Sequence, residues 1–347
     1  MGWFTTRAVA EFLAKVGDFL RAEPARNTVV LSMTENLMVK AAAAGHAPAQ
    51  PGGSSAVEGN TGQGNLPDGD EPLFGWWQPE SGEAAGANVG GNTGRNGGGN
   101  TGRNGGAYTS RNTGCDTNRN AVRGAFMHTP GFPIFLTSMS SEAAAELAGL
   151  LAAARHRIPG VNAEGDAAEA FADTWRRRTG QAPTVHRRMR LHRLGALVRP
   201  DPAPEGASRA ADVRDRDLLI EWFGAFAVEV DDGATQDHAP GIDERLSYCG
   251  TTIWEAVGAP VSVAGMTRAV AGMVRVGPVY TPPALRGRGY AGGATAAASQ
   301  AALDAGATDV VLYTDLANPT SNALYERLGF RPVEDRLMLS FEPRKGS

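Results

Sequence analysis

Residues 279–293 read VYTPPALRGRGYAGG, and this stretch decides the fold prediction for the second half of the chain. The pattern predicts a strand that ends at two prolines, then a glycine turn that leads into a helix of small residues. Pro282 and Pro283 lack backbone donors and stiffen the approach. Glycines at a helix start leave backbone N–H groups exposed, and the helix dipole adds partial positive charge. The stretch therefore predicts a phosphate-ester site, although tight strand-to-helix packing would also account for the glycines.

A second motif, NPTSNALYERLGF, spans residues 318–330. One predicted helix and one predicted strand separate it from the glycine turn. The pattern Arg286-x-x-Gly289-x-Ala291 resembles the pyrophosphate loop of the GNAT superfamily of N-acetyltransferases, and the second motif resembles the family's downstream signature. This resemblance covers residues 205–342. The whole chain, with the motif only in its second half, resembles tandem GNAT proteins of actinobacteria.

The resemblance implies that acetyl-CoA binds at the splayed end of the predicted strand 273–280. Backbone groups would pair with the pantetheine arm, and N–H groups of the glycine turn would hold the pyrophosphate. Two arginines of the turn would add charged contacts or would be solvated rim residues. Asn318 would orient the cofactor or cap the helix start. The residues expected to bind the cofactor are Val279, Thr281, Arg286, Gly287, Arg288, Gly289, Tyr290, Ala291, Gly292 and Asn318.

The resemblance also implies direct attack of an amine on the thioester, without an acyl-enzyme, so that neither cysteine takes part. It places Tyr325 as the general acid for the departing thiolate. Considered from the residues alone, Tyr325 is a core aromatic whose hydroxyl is hydrogen-bonded. The sequence marks no general base: Asp315 is our candidate, with Glu255, Tyr280 and a water relay left open. No metal site is expected.

Composition limits the other function classes. The chain has 347 residues, which favours about two domains. Its net charge of −4 supplies no overall field to hold nucleic acid or an anionic membrane. The 2 cysteines cannot build a disulfide framework, and the sequence shows no secretory signal or long apolar run. We therefore expect a cytoplasmic protein whose partner is a small-molecule or peptide amine.

The order of predicted elements indicates an α+β fold. We expect two GNAT-like domains, each with a mixed, mostly antiparallel twisted sheet flanked by helices. The proline-rich stretch PDPAPEGAS at 200–208 predicts the boundary, with domains at 1–199 and 200–347.

The first half lacks the arginine and glycine turn, since the predicted strand PIFLT at 133–137 continues directly into SMSSEAAAELA. It is therefore expected to be a degenerate domain that holds no pyrophosphate and completes the acceptor cleft or an interface. Four residues would line that cleft or, as the better alternative, pack in the core: Trp76, Trp77, Phe126 and His128.

Two segments of the first half have the composition of disordered chain. Residues 44–70 are mostly small and polar, and the block NTGRNGG recurs at 92 and at 100. Glycine and asparagine bury too little surface to offset backbone entropy, so we expect a disordered insertion at about 82–120 that lengthens a hairpin loop. An arginine-rich arm that contacts nucleic acid is the alternative.

Two rival functions remain. The residues Gly287 to Gly292 also satisfy the pattern G-x-G-x-x-G, with Asp309 further along, as a dinucleotide-binding oxidoreductase requires. A CoA-binding or sensing module without turnover is the non-enzymatic alternative. Patterns of serine hydrolases and of zinc proteases are absent from the sequence.

Overall fold

A computed structural model of the protein describes residues 2–43, 71–79, 121–230 and 237–342. The elements of the first half are, in chain order, β1 (Gly2–Thr6), α1 (Val9–Ala22), α2 (Thr28–Ala43), β2 (Leu73–Gln78), β3 (Gly124–His128), β4 (Ile134–Leu136), α3 (Ser141–Ala153), β5 (Gly160–Glu164), α4 (Gly165–Thr179) and β6 (Pro183–Leu194). Those of the second half are β7 (Ala207–Ala210), α5 (Arg216–Glu229), α6 (Ala239–Leu246), β8 (Thr251–Ala256), β9 (Ala259–Met266), β10 (Met273–Tyr280), α7 (Tyr290–Asp304), β11 (Asp309–Asp315), α8 (Pro319–Arg327) and β12 (Phe330–Phe341).

The strands form one 12-stranded sheet in the order β1-β2-β3-β4-β5-β12-β6-β11-β10-β9-β8-β7. The order is symmetric about its centre, because β1 to β5 on one side correspond to β7 to β11 on the other. The α+β class and the mostly antiparallel pairing agree with the sequence. The expected separate sheet for each half differs from the structure, since β12 pairs with β5 and β6 pairs with β11.

This exchange of the two central strands joins the cores of the two halves. Strands β6 and β12 pair with each other along their whole lengths. Phe341, near the end of the second half, stacks on Phe171 and Trp175 of α4 in the first half, with ring centroids 6.3 and 5.6 Å apart. The proposed boundary near residue 200 therefore separates two stretches of sequence that share one hydrophobic interior.

Helices cover both faces of the sheet. Neighbouring strand residues point to opposite faces, so the cluster that a residue joins identifies its face. Met273 and Val311 pack with α1 and α2, whereas Val274 and Leu312 pack with α7 and α8. Applied to every strand, this places α1, α2, α5 and α6 on what we call the first face, and α3, α4, α7 and α8 on the second face.

Several local predictions agree with the structure. The sequence pattern predicts strands at 251–256 and 273–280, and β8 and β10 have these bounds. It also predicts Ser140 or Ser141 as a helix cap and Gly180 as a helix end. Ser140 caps α3 by accepting a hydrogen bond from the Ala143 N–H, and Gly180 ends α4 at φ 77°. The four residues placed in a cleft or in the core are buried, in favour of core packing; they are Trp76, Trp77, Phe126 and His128.

The two expected disordered segments lie outside the described residues. The strands on either side of the insertion are described, and β2 pairs with β3 in antiparallel register, from Leu73 opposite His128 to Trp77 opposite Gly124. The insertion therefore connects the two strands of a hairpin, as predicted. Among the helices of the described ranges, none has the length and apolar character to span a membrane.

Candidate functional site

A gap opens in the sheet between β10 and β11. These parallel strands pair only from Met273 opposite Asp309 to Arg275 opposite Val311. Beyond that point β10 follows β9 alone, with a bulge between Val276 and Val279. The unpaired backbone of both strands beyond the last pair is therefore available to a ligand.

A cavity of about 570 Å³ lies at this gap, on the side of β10, and its lining residues include none of β11. It is lined from the first face by the end of α5 and from the second face by α8, so it passes through the sheet. Tyr325 and most of the residues expected to bind a cofactor line it, whereas Arg288 and Asp315 are not among its lining residues. The lining residues predicted from sequence are Val279, Thr281, Arg286, Gly287, Gly289, Tyr290, Ala291, Gly292, Asn318 and Tyr325.

The loop between β10 and α7 presents bare backbone to the cavity. Gly287 and Gly289 have φ values of 77° and 82°, which side chains other than glycine adopt with strain. Gly289 is the N-cap of α7 and offers no side-chain cap. Helix geometry leaves the N–H groups of the first turn, Tyr290 to Gly292, without acceptors inside the helix. At Gly292 a Cβ would lie 3.1 Å from the Cδ1 of Leu324, so this position also keeps α7 and α8 close.

The two arginines of this loop have different surroundings. Arg286 donates from Nη2 to both carboxylate oxygens of Glu229, at 2.6 and 2.8 Å, and from Nε to the carbonyl of Thr281 at 2.8 Å. Its guanidinium thus ties the loop to the end of α5. Arg288 is exposed and forms no ion pair with the described residues. Of the two, Arg288 is the one free to meet an anion.

Tyr325 lies on α8 with only 9% of its surface exposed. Burial raises the pKa of Tyr325 to about 12, and the nearby Thr295 side chain opposes this shift. Its ring meets the edge of Phe330 at a centroid distance of 6.1 Å. The hydroxyl therefore keeps its proton at neutral pH beside the cavity, as a general acid must.

Two polar residues at the end of β11 support the local chain. The Oδ1 of Asn318 accepts a hydrogen bond from the Ser321 N–H at 3.0 Å, so Asn318 caps α8. The Oδ1 of Asp315 accepts from the Ala317 N–H at 2.8 Å, and its Oδ2 lies 3.7 Å from the Nε of Arg187. The Arg187 guanidinium also donates to the Val230 carbonyl at the end of α5. Asn318 and Asp315 therefore also stabilise the local backbone at the end of β11, next to the cavity.

The other candidate bases differ in position. Glu255 accepts from the Nε of Arg209 at 2.8 Å, on the side of the sheet where β7 and β8 pair, and does not line the cavity. Tyr280 does line the cavity and packs on Trp222, and burial raises its pKa. Glu255 is thus separated from the candidate site.

The corresponding place in the first half is closed. The gap between β4 and β5 holds the side chain of Arg336 from β12, which donates to the carbonyls of Leu136 and Asn162 at 2.6 and 3.0 Å. A neighbouring cavity of about 420 Å³ is lined by several acidic side chains: Glu164, Asp166, Glu334 and Asp335. Ser140 caps α3, and the short loop before it has no glycine. These features disfavour an anionic ligand in the first half.

Three charged residues of these sites went unpredicted. Glu229 and Arg336 act through contacts that are distant in sequence, and no local pattern marks either of them. Arg275 carries a visible signal, since it is the one charged residue in the strand sequence MVRVGPVY. A cation in the middle of an apolar strand indicates a special environment.

Comparisons with known proteins agree with the cavity's position. Residues 216–330 match the family described as the acetyltransferase (GNAT) family. All the residues that line the cavity in the gap lie inside this range. The match supports a GNAT acetyltransferase, and hence an acyltransferase, in the second half of the chain.

Three of the solved structures to which the chain is similar each match about two thirds of it. A GCN5-related N-acetyltransferase from Kribbella flavida is 19% identical, with 63% of this chain and 87% of that chain covered and a TM-score of 0.47. One from Sphaerobacter thermophilus is 15% identical, with 63% and 76% covered and a TM-score of 0.44. An acetyltransferase of the GNAT family from Colwellia psychrerythraea is 12% identical, with 65% and 83% covered and a TM-score of 0.44. No curated protein matches the chain.

Proposed function

We propose that the protein is an N-acetyltransferase that moves the acetyl group of acetyl-CoA to an amine by direct attack. The observation that carries the proposal is the cavity that passes through the sheet between β10 and β11, with the bare N-terminus of α7 at its side. A long, flexible carrier with a diphosphate fits such a passage. Its diphosphate would meet the helix N-terminus, and its acyl end would reach the far side of the gap.

The loop and strand residues would divide the cofactor between them. Backbone groups of Val279 and Thr281 would pair with the pantetheine arm as a neighbouring strand does. The N–H groups from Gly287 to Gly292 would hold the pyrophosphate, and Arg288 would add a charged contact. Arg286 would act indirectly, because its guanidinium is bound to Glu229 and fixes the loop.

The chemical step would use two side chains near the gap. The amine nitrogen attacks the thioester carbonyl carbon, the carbon–sulfur bond breaks, and Tyr325 gives its proton to the departing thiolate. The amine loses a proton to Asp315 through water. Support for Tyr325 comes from its buried, protonated hydroxyl at the cavity wall. Asp315 is supported by its place at the end of β11, where its Oδ2 lies 3.7 Å from the Nε of Arg187.

The domain proposal assigns unequal roles to the two halves. Residues 1–199 would form a degenerate GNAT-like domain and residues 200–347 the acetyl-CoA-binding domain. The symmetric strand order supports a tandem arrangement. The side chain of Arg336 in the first gap supports the loss of cofactor binding in the first half. A cytoplasmic location and an amine acceptor, without nucleic acid or membrane, complete the proposal.

The oxidoreductase alternative is disfavoured by the position of Asp309. This residue begins β11 and pairs with Arg193 of β6. In dinucleotide-binding folds the acidic residue contacts the ribose from beyond the end of its strand, next to the glycine loop. Asp309 is therefore in the wrong place and already has a partner.

Calorimetric titration with CoA and with NAD, followed by an assay of CoA release with a panel of amines, tests the function. We expect CoA to bind, NAD not to bind, and free thiol to appear when acetyl-CoA and an accepted amine are both present. Binding of NAD without CoA overturns the proposal. Binding of CoA without thiol release for any amine favours the sensing module.

A further inference from the structure

Arg275 is a largely buried cation on the first face of the sheet, and its side chain has no ion-pair partner among the described residues. Its neighbours Val274 and Val276 belong to the core under α7, so the Arg275 side chain points to the opposite face, where α5 and α6 lie. Its Nη1 atom is shielded from solvent and has no hydrogen-bond partner. The guanidinium forms no ion pair with the described residues.

The charges around Arg275 do not compensate it. Burial lowers the pKa of Arg275, nearby Arg245 lowers it further, and only the oxygens of Tyr313 and Tyr248 oppose these effects. Glu244, the neighbour of Arg245 in α6, lies 3.7 Å from the Nε of Arg268 instead. A buried charge without a partner is costly, and such groups concentrate at sites that bind a ligand.

Tyr313 of β11 resembles Arg275 in having a shielded polar atom without a hydrogen-bond partner. It lies two residues beyond Val311, on the same first face, and its hydroxyl is shielded and without a hydrogen-bond partner. Because Arg275 and Val311 form the last pair between β10 and β11, Arg275 and Tyr313 stand at the base of the gap. Asp315 follows on the same face. Arg275, Tyr313 and Asp315 thus lie on the first face next to the point where β10 and β11 separate, just outside the lining of the cavity.

We propose that Arg275 and Tyr313 bind a carboxylate of the acceptor, so that the acceptor is an amine that also carries a carboxylate, such as an amino acid. This inference rests on the proposed acetyl transfer and names its substrate class. A planar guanidinium and a phenol hydroxyl are both donors that suit carboxylate oxygens. One positive charge balances the single charge of a carboxylate, whereas a phosphate ester carries more charge than this pair can neutralise.

The test compares matched acceptors in the CoA-release assay. Each amino acid is paired with its carboxamide and its decarboxylated amine, and an aminoalkyl phosphate tests the other anion. We expect kcat/KM to be about tenfold or more higher for accepted carboxylates than for their amides, as for loss of a hydrogen bond to a charged group. The substitutions Arg275→Gln and Tyr313→Phe should raise KM much more for carboxylates than for the matched amides, and should leave the CoA Kd unchanged. Arg275→Lys should restore part of the preference.

The melting temperature distinguishes an acceptor-binding role of Arg275 from a purely structural role. Because Arg275 has no ion-pair partner among the described residues, Arg275→Gln should leave the Tm of the free protein unchanged or raise it. The same is expected of the control Arg157→Gln, at an exposed position. A lower Tm together with an equal loss for all acceptors overturns the inference in favour of a structural arginine. Equal use of acids and amides, or preference for the phosphate, overturns it while acetyl transfer stands. Failure to bind CoA, or no thiol release for any amine, overturns the proposed function itself.

Discussion

Arg336 of β12 holds Asn162 of β5 at two points, its side-chain oxygen at 2.9 Å and its backbone carbonyl at 3.0 Å. A further hydrogen bond to the Leu136 carbonyl fastens β4 to the same guanidinium. The gap that is open between β10 and β11 is thus filled, at its counterpart in the first half, by a side chain from the second half.

The substitution Arg336→Met should strongly destabilise the fold. Arg336 is paired with Glu334 at 3.0 Å, and burial raises the pKa of Glu334 while Arg336 opposes that shift. Removal of Arg336 leaves the buried Glu334 carboxylate with Arg26 alone, at 3.1 Å, and leaves the carbonyls of Leu136 and Asn162 without this donor, which together cost about 3 kcal/mol. Urea unfolding measures the loss. The control Arg188→Met, at an exposed position of β6, should change stability by less than about 0.5 kcal/mol; similar stabilities for the two variants would contradict the network.

The substitution Gly289→Ala should weaken CoA binding through the backbone. Its φ of 82° strains any residue with a Cβ, at about 1–2 kcal/mol. The strain distorts the N-terminus of α7, which we propose holds the diphosphate. Gly131→Ala is the matched control, with a φ of 85° and open space around its Cβ, far along the chain from the cavity. Both variants should lose similar stability, and only Gly289→Ala should raise the CoA Kd; an unchanged Kd would refute the loop's role.

The substitution Tyr325→Phe should lower kcat by about 10²-fold or more, the usual contribution of a general acid. CoA affinity and unfolding should change little, because the ring that packs on Phe330 is kept. Tyr248→Phe is the control, since that hydroxyl donates to the Met266 carbonyl and does not line the cavity. Equal kcat values for wild type and Tyr325→Phe would remove Tyr325 from the mechanism.

The same tyrosine predicts the alkaline side of the pH profile. Since burial raises the pKa of Tyr325 to about 12, the acid stays protonated throughout the neutral and moderately alkaline range. Loss of its proton should therefore not reduce kcat below that pH. A decline of kcat near pH 9 that disappears in Tyr325→Phe would contradict the assignment.

His128 predicts destabilisation in mild acid. Burial, and then the charge of His156, lower the pKa of His128 from 6.5 to about 4. The folded state favours the neutral ring, so the stability it contributes is complete above pH 6.5 and is lost as the pH falls towards 4. The loss amounts to about 3 kcal/mol at 1.36 kcal/mol for each pKa unit. Denaturant unfolding at pH 7.5 and 4.5 should show it in wild type and in the exposed control His186→Gln, and much less in His128→Phe.

Local chemistry explains which elements were predicted. Strands β8 and β10 are apolar runs bounded by turn residues, and α3 and α4 carry their own caps. Strands β5 and β7, with the sequences GVNAE and ASRA, have little strand character of their own. They become strands because β4 and β12, or β8, supply hydrogen-bonding partners. Such pairing has no signature within the segment itself.

The residues of the candidate site likewise divide into those in local sequence motifs and those that depend on contacts distant in sequence. The glycine loop and Tyr325, which line the cavity, could be proposed from sequence because their motifs are continuous along the chain. The role of Arg286 was only partly anticipated, since its partner Glu229 lies on a different element. Arg336 and Tyr313 gain their surroundings only when distant strands come together. The missing loop predicts that the first half holds no cofactor, and the filled gap adds a second physical reason for this proposal.

Because β6 and β12 are exchanged between the two halves, neither half contains all the strands of its own part of the sheet. If the polypeptide is cleaved between residues 199 and 207, each fragment loses the strand that the other supplies. Strand β5 or β11 then becomes an exposed edge strand, which is prone to aggregation. Neither piece should fold alone, but the two produced together should complement each other and recover activity. The two halves therefore depend on each other to fold, because each supplies a central strand to the other's part of the sheet.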